Sequence, residues 1–178
     1  MTAMALLTVQ GLTRRFQGLV AVDSVDFTVQ PGTVHGLIGP NGAGKTTLFN
    51  LVSGVLAPSA GSVRLGDQPL DGLPPYRRTA LGLARTFQNI RIFSEMTVLE
   101  NVMTGLHTRL SSTWGILLRG PGFRAEERQA KAKARDLLAF VGLLDAADTR
   151  AGDLPYGDQR RLEIARALAC EPRLVLLD

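Results

Sequence analysis

Residues Gly39-Pro40-Asn41-Gly42-Ala43-Gly44-Lys45-Thr46 complete the pattern G-x-x-x-x-G-K-[ST]. Glycines at these positions let the backbone curl so that successive N–H groups point inward. The result is a concave anion nest at the positive end of a helix. A lysine at position 45 reaches the β- and γ-phosphates of a bound nucleotide, and the Thr46 hydroxyl ligates Mg²⁺. A second group of residues has the complementary form. Arg173-Leu174-Val175-Leu176-Leu177-Asp178 is an apolar run that ends in a carboxylate. At the carboxyl end of a strand in an open α/β sheet, where such folds bind ligands, Asp178 is placed to hold Mg²⁺ through its coordinated water. In a third segment, Leu154-Pro155-Tyr156-Gly157-Asp158-Gln159, a glycine and a capping aspartate precede a helical run. That arrangement makes another anion site.

These residues need particular elements around them. An apolar run at 33–38 reads as a central strand covered on both faces and leads into the glycine-rich loop. Leu48, Leu51 and Val52 follow at helical spacing. Val25, Phe27 and Val29 alternate with polar neighbours, the period of a half-buried strand, and Pro31-Gly32 marks a turn. Short strands are expected at 62–65, 83–87 and 174–177, and a helix from Pro74-Pro75 to about Ala80. From Asn89 to Asp153 the character is helical. Thr97-Val98-Leu99-Glu100 is a capping-box pattern, residues 124–141 form a longer helix, and residues 160–170 form another that Pro172 stops. A strand, a loop and a helix, then a helical block, then a strand ending in Asp, describe an α/β core with an inserted helical subdomain at 89–153.

Bulk properties narrow the function. With 178 residues, 45% hydrophobic and 20% charged, the chain has the make-up of a globular domain with a real core. No apolar stretch reaches the ~20 residues of a membrane span, and the first residues lack the pattern of a signal peptide. Cys170 is the only cysteine, so an intrachain disulfide is excluded and a reducing cytoplasm fits. The net charge of +4 comes from scattered arginines without aromatic interleaving, so nucleic acid is not the expected partner. His35 and His107 have no metal-ligand partner at useful spacing.

Together these segments resemble the ATP-binding subunit of ABC transporters, over essentially the whole chain. Residues 39–47 match that family's Walker A motif. Gln88, in Ala84-Arg85-Thr86-Phe87-Gln88-Asn89, matches its Q-loop, and Asp178 its Walker B aspartate. Residues 154–158 occupy the place of its signature motif, ahead of Leu162-Glu163-Ile164-Ala165-Arg166-Ala167-Leu168. The strings ARTFQNIRIF, MTVLENVM and YGDQRRLEIARAL, and the insertion at 114–123, look like the ATPase subunits of importers for branched-chain, or hydrophobic, amino acids.

The resemblance implies a P-loop NTPase (RecA-like) α/β core carrying an N-terminal antiparallel β subdomain. It assigns ATP to Asn41, Gly42, Ala43, Gly44, Lys45, Thr46 and Thr47, and Mg²⁺ to Thr46, Gln88 and Asp178. Lys45, Gln88 and Asp178 are the residues it places at the chemistry. Phe16 takes the place of an aromatic that stacks on adenine; packing in the core is its other reading. Trp114 reads as packing within its own subdomain. The implied partners are transmembrane permease subunits and, indirectly, an extracytoplasmic substrate-binding protein. A second ATP-binding subunit, identical or not, would complete each ATP site with its own Tyr156, Gly157 and Asp158. The implied location is the cytoplasmic face of the membrane.

Two departures qualify the match. Pro155 stands where the family's signature has a serine, and Tyr156 where it has a glycine. Pro155 has neither a hydroxyl nor an N–H to donate, so Gly157 N–H and the helix start must make the contact. Residues 1–178 also hold no counterpart of the family's general-base glutamate, D-loop or switch histidine. A truncated cassette with an incomplete sheet and weak or no hydrolysis is therefore expected. The alternatives are a nucleotide-binding module without hydrolysis and a soluble ABC-type ATPase acting on nucleic acid or the ribosome.

Overall fold

The computed structural model describes residues 5–86, 90–106 and 121–178, with the side chains of all of these except 121–125. The chain divides into two compact units, Met1–Arg85 together with Asp178, and Thr86–Leu177.

The first unit is built on an antiparallel sheet of order β2-β1-β3-β4. Its strands are β1 (Leu7–Phe16), β2 (Leu19–Val29), β3 (Ala60–Leu65) and β4 (Gln68–Pro69). Leu7 pairs with Val29 on one side and Leu65 on the other, and Val9 with Phe27 and Val63. Leu7, Val9, Val63 and Leu65 are buried with the period-2 alternation of a one-faced sheet, and Leu12 joins them because the register breaks between Val9 and Leu12. Helix α1 (Lys45–Val52) buries Leu48, Leu51 and Val52. Helix α2 (Pro75–Ala80) starts with proline inside its first turn, and β5 (Leu83–Arg85) closes this part of the chain.

Gly44 is the N-cap of α1, with φ +83°. A Cβ there would lie 2.3 Å from the Ala21 carbonyl oxygen on β2. Only glycine satisfies both the left-handed backbone and that approach. Gly42 has the same φ but open space around it.

One sequence expectation fails here. Residues 33–38 form no strand, and Val34 and Ile38 are 100% and 94% exposed. A strand exists through its ladder partners. Among the described residues, no backbone hydrogen bond reaches Val34, Gly36 or Ile38. An apolar run alone therefore does not make a covered central strand.

The second unit is helical. Helices α3 (Val98–Leu106), α4 (Pro121–Phe140) and α5 (Tyr156–Ala169) surround a core that includes Val98, Val102, Ala134, Leu138, Leu162 and Ala165. Helix α3 packs on both of the others. It comes so close to α5 that a Cβ on Gly105 would lie 2.4 Å from the Arg166 carbonyl oxygen. The expected capping box is present. Thr97 Oγ1 accepts from Glu100 N at 3.1 Å, and Glu100 Oε2 accepts from Thr97 N at 2.8 Å. The backbone and hydroxyl hydrogen bonds from Thr97 hold the Glu100 carboxyl below its ordinary range.

Ahead of that cap, the buried Asn101 amide holds the chain. It accepts from Phe93 N at 2.9 Å and donates to the Phe93 and Thr97 carbonyls at 2.9 and 3.0 Å. The final strand, β6, covers Leu174–Leu176 and is half-buried, with Leu177 exposed. The physical reason is that of residues 33–38: apolar side chains are buried only where other elements lie over both faces.

Two substitutions test these contacts by denaturant unfolding. Gly42→Ala is expected to cost about 1–2 kcal/mol, from left-handed strain alone. Gly44→Ala is expected to cost about 3 kcal/mol or more, because β2 must also give way; equal costs would contradict the packing described. Asn101→Ala strands the Phe93 N–H, while the Phe93 and Thr97 carbonyls keep Met96 N and Asn101 N as donors, and it is expected to cost about 1–3 kcal/mol. A cost below about 0.5 kcal/mol, the range of an ordinary surface change, would show that the clamp is dispensable.

Candidate functional site

The first turn of α1 is open to an anion. The first backbone bond into the helix runs from Leu48 N to Gly44 O at 2.8 Å, and no side chain caps the turn. The N–H groups of Lys45, Thr46 and Thr47 thus have no partner inside the helix, and they carry the positive end of its dipole. No acidic residue lies in this turn to compete for them. Lys45 arches back over the loop, and its ammonium donates to the Gly39 and Pro40 carbonyls at 2.6 and 2.7 Å. A cation is thereby held over the loop that the turn opens onto. Asn41, Gly42 and Ala43 form the exposed crest of that loop, where a turn bond joins Ala43 N to Pro40 O at 3.3 Å.

The other end of α1 is anchored by two guanidinium groups. Arg78, buried to 3% exposure, donates to the Leu51 and Val52 carbonyls at 2.9 and 2.8 Å, and to the Leu73 carbonyl at 2.9 Å. Burial pushes its pKa down, partly offset by Asp71. Arg85 Nη1 donates to Asn50 Oδ1 at 2.7 Å and to Ser53 Oγ at 2.8 Å. Its Nη2 donates to Asp178 Oδ2 at 2.7 Å, and the two side chains of that pair are only 8% and 10% exposed. Cations at this end complement the negative pole of the helix.

Lys45, Thr46 and Asp178 all fall within the first unit. Arg85 and Arg78 were missed by the sequence reading. Arg85 stands inside the quoted string Ala84-Arg85-Thr86, but nothing local marks its partners.

The Thr46 hydroxyl and the Asp178 carboxylate are hard oxygen donors. Among the described residues there is no group of three His, Cys, Asp or Glu side chains that could hold a metal ion alone. Two protein oxygens, completed by substrate phosphates and water, suit Mg²⁺, which keeps much of its hydration and favours oxygen ligands. His35 lies in the exposed stretch after β2.

Phe16 ends β1 opposite Leu19, is 39% exposed, and has the Arg14 guanidinium 4.6 Å from its ring centroid. It is a surface aromatic, so the core-packing reading is set aside. Gln88, His107 and Trp114 lie outside the described residues.

The second anion segment is arranged differently from expectation. Pro155 is the N-cap of α5, with ψ 150°, and the helix starts at Tyr156 rather than Arg160. Proline's fixed φ and extended ψ suit that cap position. Asp158 is thus not the cap. It lies in the first turn and pairs with Arg161 at 3.2 Å. Asp158 N and Gln159 N both donate to the Pro155 carbonyl, at 2.9 and 3.0 Å, so the turn presents Tyr156 N–H and Gly157 N–H. Tyr156 is 68% exposed, and Gly157 has open space around it. Arg160 lies over the Tyr156 ring at 5.6 Å and pairs with the buried Glu163 at 3.1 Å. Its hydrogen bond to the Tyr156 hydroxyl leads the causes that push its pKa up.

A family profile described as "ABC transporter" matches residues 22–178, a span that includes the loop, Arg85 and Asp178. The chain is 45% identical over 174 residues to the high-affinity branched-chain amino acid transport ATP-binding protein LivG of Escherichia coli. That alignment covers 97% of this chain and 68% of LivG. BraF of Pseudomonas aeruginosa, which carries the same description, gives the same identity and coverage. Among solved structures, a nucleotide-free ATP-binding cassette from an ABC transporter superposes with TM-score 0.81 at 33% identity, covering 98% of this chain and 69% of that one. The ADP conformation of MJ1267, an ATP-binding cassette of an ABC transporter, superposes with TM-score 0.80 at 33% identity, over 97% and 67%. The fold is that of the P-loop NTPases, and by sequence and by structure the chain belongs to the ABC transporter family.

Proposed function

We propose that this chain is the ATP-binding, ATP-hydrolysing subunit of an importer for branched-chain and related hydrophobic amino acids. The observation that carries the reading is the uncapped first turn of α1 with the Lys45 ammonium held over its loop. The substrate class is carried over from LivG and BraF, at 45% identity.

In this reading the N–H groups of the loop and of Lys45, Thr46 and Thr47 receive the phosphate oxygens, with Asn41, Gly42, Ala43 and Gly44 shaping the cradle. Lys45 exchanges its carbonyl partners for β- and γ-phosphate oxygens and neutralises their charge. Thr46, Asp178 and Gln88 hold Mg²⁺ with the nucleotide. When bound, that ion would supply positive charge to offset the charge of the transferring group. Phe16 stacks its exposed face on adenine.

A second ATP-binding subunit presents Tyr156, Gly157 and Asp158 across a shared site, with the Gly157 N–H taking the part that a serine plays elsewhere in the family. Residues 89–153 form the inserted helical subdomain of one cassette spanning 1–178. Gln88 links nucleotide state to transmembrane permease subunits, which a substrate-binding protein loads from outside. No helix among the described residues is long and apolar enough to cross a membrane. A peripheral position at the cytoplasmic face of those permeases is consistent with that.

Calorimetric titration tests the site. ATP and ADP should bind and adenosine should not. Lys45→Ala should weaken ATP binding about 10–100-fold, the worth of one or two charge-assisted hydrogen bonds; an unchanged affinity would sink the assignment. For the substrate class, deleting the gene in the parent organism should lower uptake of labelled leucine. A wild-type copy should restore it and a Lys45→Ala copy should not. Unaltered leucine uptake would refute the importer reading.

A further inference from the structure

The residues around Arg85 form a stripe on α1. Thr46, Asn50 and Ser53 stand at i, i+4 and i+7, a spacing that places them on one helix face. Arg85 binds the lower two of these, Asn50 Oδ1 and Ser53 Oγ, through a single nitrogen at 2.7 and 2.8 Å. Ser53 is itself fixed, because its hydroxyl donates to the Phe49 carbonyl at 2.7 Å and so turns a lone pair toward the arginine. The Phe49 ring lies under the guanidinium, 5.8 Å from its centroid. The other guanidinium nitrogen, Nη2, is left to grip Asp178 Oδ2 at 2.7 Å. A guanidinium is planar and rigid, so fixing one nitrogen on the helix fixes where the other can hold a carboxylate.

Resting on the nucleotide-site reading above, we propose that Arg85 is a positioning residue for the metal. It holds the Asp178 carboxylate in register with the helix face that carries Thr46. The guanidinium sets the Asp178 oxygens against the helix whose first turn carries Thr46, and the ion meets a preformed pair instead of ordering them itself.

A plain counter-ion role makes the opposite prediction. A positive charge bonded to a metal-binding carboxylate repels a cation, so its removal should tighten Mg²⁺ binding. A strut that orients the ligand should, when removed, weaken it. Loss of groups that orient metal ligands typically costs ~10–100-fold in metal affinity.

The experiment uses the full chain and two readouts: ATP affinity in EDTA and under Mg²⁺ titration, and Mn²⁺ bound in the presence of ATP by electron paramagnetic resonance. Circular dichroism checks the fold of each variant. Arg85→Met and Arg85→Lys are both expected to keep the metal-free ATP affinity within about twofold while metal affinity falls by about 10–100-fold. Lysine should not rescue, because it keeps the charge but loses the fork. Asn50→Ala keeps Arg85 and removes one of its anchors, and a smaller fall, about threefold, is expected.

Metal affinity that is unchanged or tighter in Arg85→Met overturns the proposal, as does full rescue by lysine. Should the Arg85 variants fail to fold, Asn50→Ala decides alone, and an unaltered Mn²⁺ affinity there refutes the strut. If wild type binds no ATP even without metal, the nucleotide-site reading falls and the role of Arg85 falls with it. Intact metal-free binding with equal metal responses in all variants overturns only the role of Arg85.

Discussion

The site depends on how the C-terminal end of one short helix is held. Helix α1 has eight residues, too few to be stable alone. Its apolar face, Leu48, Leu51 and Val52, is buried, and its last carbonyls are gripped by Arg78. That guanidinium sits at the negative pole, which leaves the positive pole and its unbonded N–H groups facing the glycine-rich loop. A phosphate nest works only if those N–H groups are already aimed when the anion arrives, because ordering them during binding would cost affinity. Gly44, wedged against the Ala21 carbonyl, fixes the same turn from the side of β2.

The helical unit is organised by comparable clamps. Asn101 holds both backbone groups of Phe93. Arg166, on α5, donates to the Arg91 carbonyl and lies over the Phe93 ring at 5.5 Å. Burial is the leading cause that pushes the Arg166 pKa down, countered by Glu163 and Cys170. The segment from Arg91 to Thr97 is therefore tied to α3 and to α5, the helix that begins with Tyr156 and Gly157.

What was legible in the sequence follows from the range of the interactions. The glycine-rich loop, the start of α1 and the Thr97–Glu100 box are set by residues within a few positions of one another, and they stand where the pattern put them. The β2 alternation, local as well, was readable. Residues 33–38 were misread because strand burial is a property of neighbours, which composition cannot supply. The start of α5 was placed four residues late because Tyr156 and Gly157 look like loop, while Pro155 in fact provides the cap. Arg85 was invisible as a structural residue because its partners are 35, 32 and 93 residues away. A buried arginine announces itself only when the acceptors it unites are seen together.

The central claim is that the first turn of α1, pre-aimed by its anchors, receives phosphate. Amide hydrogen exchange resolved to single residues tests it most directly. With ATP or ADP, exchange at Gly44, Lys45, Thr46 and Thr47 should slow markedly relative to the free chain, and adenosine should leave those amides unchanged. Slowing elsewhere in the chain, with these four amides exchanging as before, would contradict the account.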